Sequence, residues 1–173
     1  MNIAIIYGLD APADGNGLAD YATELKAKLP NARIQTFQQD DLQGLSTFAN
    51  TLIPGPVVLI GHSFGFDAAM VISSLLQATN RAEVDYLAAI DGVKKGWVPF
   101  FWLPWSAWVI PPNVKLAHSF QRTWPWLGIP SSPIRNTSAQ WINQPQTAAA
   151  HQDMPKADFV KTTIINTIVG LGG

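Results

Sequence analysis

The chain has 173 residues, 47% of them hydrophobic and 13% charged, and a net charge of −1. That length and balance fit one globular domain spanning residues 1–173 and exclude a disordered chain, and the near-neutral charge gives no electrostatic footprint for a nucleic-acid partner. There is no cysteine, which excludes a thiol nucleophile, a Cys-ligated metal and any disulfide.

Asn2 to Tyr7 reads as an apolar run, the pattern of a strand buried on both faces of a parallel sheet. Met1 to Gly8 carries no basic leader. The longest apolar stretch, Trp97 to Ile110, holds two prolines and is too short to span a bilayer, so a cytoplasmic location is expected. Leu18, Ala22, Leu25 and Leu29 recur at helical spacing, and Pro30-Asn31 ends that helix. Arg33 to Phe37 is a second, weaker strand. Asp40 or Asp41 can cap a short helix reaching about Asn50, which Pro54-Gly55-Pro56 closes off. Val57 to Ile60 is a third buried strand, Phe64 to Ala78 is helical in composition, and Val84 to Ile90 is a fourth strand. This alternation argues for an α/β fold, with a mostly parallel sheet and helices on both faces.

From Gly92 the pattern changes. Gly96 to Trp108 has neither helical nor strand period, and its prolines forbid one long helix. Val114 to Phe120 is expected as a fifth strand and Thr137 to Ile142 as a fainter sixth. Pro155 suits the first position of a closing helix with Phe159, Ile164, Ile165 and Ile168 on its apolar side, and Gly170 is expected to stop it.

Gly61-His62-Ser63-Phe64-Gly65 follows a buried strand directly and opens a helix. Chemistry at a serine needs that context: a sharp, strained strand-to-helix turn projects the hydroxyl above the sheet, and flanking glycines let strand and helix approach closely. Ser63 is therefore the candidate nucleophile. On these residues the sequence resembles the α/β-hydrolase superfamily, over almost the whole chain. The resemblance implies a three-layer domain with a mostly parallel six-stranded sheet in the order 2-1-3-4-5-6. It also implies backbone N–H groups of Leu9 and Phe64 as an oxyanion hole, although Tyr7 stands where such enzymes often carry histidine. Asp10 is the alternative to Leu9.

Only His62, His118 and His151 can serve as a base. His62 sits inside the turn, where its side chain should point away from Ser63, and His118 falls mid-strand. His151 lies in the loop before the last helix, where the superfamily keeps its catalytic histidine. For the acid, no aspartate or glutamate occurs between Asp91 and Asp153. Asp91 ends the strand after the nucleophile strand, a position some lipases of this superfamily use. Asp153 and Asp67 are the alternatives. Ser63, Asp91, His151 is then a triad in the chain order of the superfamily, and it needs no metal and no organic cofactor.

All seven tryptophans follow Asp91, together with Lys94, Lys95, Lys115, Arg122 and Arg135. Three readings of the insertion at about residues 93–113 stay open. It is a cover over a satellite core, a protein-contact patch, or a lid and acyl-binding wall in which Trp97, Trp102 and Trp105 touch substrate, with contact to a lipid interface. The expected activity is hydrolysis of a small-molecule carboxylic ester. A thioesterase or amidase on the same triad, and a catalytically silent binding protein on the same fold, are the alternatives. Oligomeric state is not legible.

Overall fold

Apolar runs separated by amphipathic helices become parallel strands, because each helical crossover returns the chain in the same direction. The computed structural model describes residues 1–8, 17–93, 108–123, 134–135, 141–143 and 145–172. Its strands are β1 (Asn2–Tyr7), β2 (Arg33–Gln38), β3 (Val57–His62), β4 (Val84–Ile90), β5 (Trp108–Val109), β6 (Val114–Arg122), β7 (Ile134–Arg135), β8 (Trp141–Asn143) and β9 (Gln146–Thr147). The helices are α1 (Leu18–Lys28), α2 (Leu42–Asn50), α3 (Gly65–Ala78) and α4 (Asp158–Gly172), and a 3-10 turn covers Met154–Lys156.

The central sheet runs β2-β1-β3-β4-β6, all parallel, and β8 and β9 each pair with β6. The expected sixth strand overlaps residues 136–140, outside the described residues; its end, Trp141–Asn143, is β8.

Period-two alternation divides the side chains between two cores. Ala4, Ile6, Leu59 and Leu87 face α2 and α3, meeting Phe48, Phe66 and Leu76. Ile3, Ile5, Ile60 and Tyr86 face the other way, onto Tyr21, Leu25, Ile164 and Ile168 of α1 and α4. The result is a three-layer α/β domain with helices on both faces of the sheet. No helix among the described residues is long and apolar enough to cross a membrane.

Two local expectations shift. Pro155 lies in the 3-10 turn, and α4 begins after it, at Asp158. The helix also runs through Gly170 rather than stopping there. A glycine inside a helix costs only about 1 kcal/mol relative to alanine, so it marks an end only where another signal joins it. A short parallel pair, β5 with β7, was not expected. It arises because Trp108, Ile110 and Ile134 join the core beneath α3, with the Trp108 ring edge-on to Phe66 at 5.1 Å.

Candidate active site

The carboxyl ends of parallel strands lie along one edge of a sheet, so whatever leaves β1, β3, β4 and β6 there is brought together. Ser63 leaves β3 with φ 54, in the left-handed region that a residue with a Cβ rarely adopts. The turn survives because backbone bonds determine it. Ser63 N–H donates to the Ile90 carbonyl at 3.0 Å, and the Ser63 carbonyl accepts from Phe66 at 3.2 Å and Val93 at 3.1 Å. The adjoining glycines are steric necessities. A Cβ on Gly65 would overlap the Ile6 carbonyl, and one on Gly61 would overlap the Phe66 backbone. Gly8, at the exit of β1, faces the serine itself: a Cβ there would come within 2.7 Å of Ser63 Cβ and 3.2 Å of its Oγ. Phe64 stands just before α3, at the positive end of that helix's dipole.

Asp91, the first residue after β4, is fully buried and also takes a left-handed conformation, φ 46. Its N–H donates to the Phe120 carbonyl on β6. Its Oδ2 is 2.5 Å from His151 Nδ1. Because a carboxylate only accepts, that short contact puts the His151 proton on Nδ1 and leaves Nε2 as the basic nitrogen. The same oxygen is ion-paired with the nearly buried Arg122 guanidinium, from the end of β6. A carboxylate is costly to bury alone, and the Arg122 cation together with the His151 N–H donor offsets that cost.

His62, the last residue of β3, is buried, and its Nε2 lies 3.0 Å from the His151 carbonyl. The His62 and His151 rings stack with centroids 4.7 Å apart at 29°. Burial, helped by the His151 ring nearby, pushes the His62 imidazole down to about 4, so it is neutral near pH 7.

The structure thus brings Asp91 and His151 together, and Ser63 follows directly on His62, whose ring stacks on His151. Among the described residues, Ser63 Oγ makes no hydrogen bond to His151. Of the alternative acids, Asp153 is exposed and serves its own turn through backbone bonds, and Asp67 lies in the first turn of α3. His118 is buried against Tyr86, whose hydroxyl is 2.7 Å from Nδ1, and desolvation lowers its pKa. Leu9, Asp10, Trp97, Trp102 and Trp105 lie outside the described residues.

Sequence reasoning missed two members of this cluster, Arg122 and His62. Arg122 carried a signal: it closes a buried strand within a long stretch lacking any acid, and the register sets Phe120 opposite Ile90, one residue before Asp91. No group of three or more His, Asp or Glu side chains among the described residues is arranged to hold a metal ion.

No protein-family model matches the chain, and no curated protein matches it in sequence.

Proposed function

We propose that the protein is a serine hydrolase of the α/β-hydrolase type, cleaving a carboxylic ester of a small molecule through an acyl-enzyme on Ser63. One observation carries the reading. A serine in a strained backbone conformation stands between a buried strand and a helix, next in the chain to His62, whose ring stacks on a histidine with its Nδ1–H fixed on a buried aspartate.

In this reading His151 Nε2 takes the Ser63 hydroxyl proton as Oγ attacks the ester carbonyl carbon. Asp91 orients the ring and stabilises its charged form. The oxyanion is held by backbone N–H groups of Leu9 and Phe64, with the amino end of α3 favouring the negative charge. His151 returns the proton to the departing alcohol. A water then attacks the acyl carbon, giving its proton to His151, and the carboxylic acid leaves with Ser63 restored.

The 2-1-3-4-5-6 strand order is the frame this reading adopts. Trp97, Trp102 and Trp105 are assigned to acyl binding because the chain leaves the sheet at Val93, whose N–H bonds to the Ser63 carbonyl. It returns at Trp108, packed on Phe66 next to the serine turn.

The test is labelling of the purified protein by a fluorophosphonate, together with turnover of p-nitrophenyl acetate. Wild-type protein is expected to react, and Ser63→Ala and His151→Ala each to lose nearly all of both signals while remaining folded. An unlabelled wild type, or a label kept by Ser63→Ala, overturns the proposal. Preference for a thioester or amide in a substrate panel would redefine the leaving group on the same residues.

A further inference from the structure

We propose that His62 is a positioning residue for His151, holding the His151 backbone through its Nε2–H and backing the His151 ring with its own. The inference rests on the reading of His151 as the catalytic base.

His151 belongs to no regular element. It lies between β9 and the 3-10 turn, where Asp153 and Met154 donate to the carbonyl of the preceding residue, Ala150. A base on such a loop needs its backbone fixed as well as its ring. The Asp91 bond fixes one edge of the imidazole. Among the described residues, the hydrogen bond from His62 is the only one that ties the His151 backbone to the sheet. It comes from the residue next to Ser63, so one peptide unit of β3 sets both the nucleophile and the base.

The choice of histidine here is informative because it carries a stability cost. A carbonyl can only accept, so the His62 proton is on Nε2 and the lone pair on Nδ1. That Nδ1 is buried with no hydrogen-bond partner among the described residues. An unpaired buried nitrogen is destabilising, and a phenylalanine would fill the same space without it. A polar ring with an unpaired buried nitrogen, at the end of an otherwise apolar strand, breaks a local rule in the way functional sites do. Neutrality completes the fit. With its imidazole pushed down to about 4, His62 adds no positive charge beside His151 when that ring takes up a proton.

The experiment compares His62→Phe, which keeps a ring and loses the donor, with His62→Gln, whose amide reaches near the Nε2 position. His62→Phe should melt near the wild-type temperature, because loss of the unpaired Nδ1 offsets loss of the bond to the His151 carbonyl. Its kcat on an activated ester should fall on the order of 10- to 100-fold with KM little changed, as expected for a misplaced catalytic group. The downfield proton resonance of His151 Nδ1–H should broaden in the same variant. His62→Gln should recover most of the rate. A His62→Phe protein with wild-type kcat and an unchanged Nδ1 proton overturns the inference. If His62→Phe does not fold, His62→Asn replaces it, since its shorter amide cannot reach the carbonyl; equal kcat in the Asn and Gln variants then overturns it. An unlabelled wild type would defeat the hydrolase reading alone, because the Nδ1 resonance still reports whether His62 holds the ring.

Discussion

Ser63 and Asp91 share an uncommon backbone state, and each is bonded into the neighbouring strand exit, so the two strained turns brace one another. A left-handed residue with a side chain costs about 1–3 kcal/mol and persists only where its surroundings determine it. Asn80, another such residue, follows α3, where asparagine commonly adopts this state at a helix end. The Asp91 carboxylate reaches both His151 and Arg122, whereas Asp153 is exposed. Asp91→Asn should therefore lower turnover on the order of 1,000-fold or more, because an amide does not stabilise the charged ring and favours the wrong tautomer. It should also lower the unfolding free energy, since Arg122 loses the counter-charge facing it. Asp153→Asn should leave turnover close to wild type. Steady-state kinetics and urea unfolding of both variants check this, and the reverse ranking would reassign the acid.

The elements owe their places to signals of unequal strength. Asp41 caps α2, its carboxylate accepting from the Gly44 N–H at 2.8 Å. Asp41→Ala should cost about 1 kcal/mol of stability in urea unfolding and leave catalysis intact, because α2 lies away from the serine turn. The cap and the breaker Pro54-Gly55-Pro56 were readable in sequence, as were β1, β3, β4 and β6, because buried parallel strands are continuous apolar runs. Ser63 was legible for a related reason: its function needs a strand, a glycine-flanked turn and a helix in immediate succession. The limits of α4 were less legible, because proline and glycine near a helix end act through their surroundings. The contact of His62 with His151 was illegible, although the pleat sets His62 on the face of Val58 and Ile60, because which loop covers that face is a tertiary matter. The short β5–β7 pair depends on where a tryptophan finds its core, a tertiary matter that local pattern does not encode.

Across the whole molecule, burial of histidine links the site to acid stability. Desolvation lowers the pKa of both His62 and His118, and in His62 the imidazole falls to about 4. In the unfolded chain a histidine titrates near 6.5. Between those values the unfolded state binds more protons than the folded one, so stability falls as pH falls through that window and levels off below it. For His62 the loss between about pH 7 and about pH 4.5 amounts to about 2 kcal/mol, and His118 adds to it in the same direction. Carboxylates also take up protons in acid, so the slope of the wild type alone does not identify the histidine. A comparison with His62→Phe does. That variant has no group to protonate at this position, so its unfolding free energy should fall less over the same window, by about 2 kcal/mol. Urea denaturation of both proteins at the two pH values measures the difference. Parallel pH curves would mean that His62 is not held neutral by the fold. Curves that converge near neutral pH and separate toward acid would show that the histidine beside the serine makes the fold more sensitive to acid.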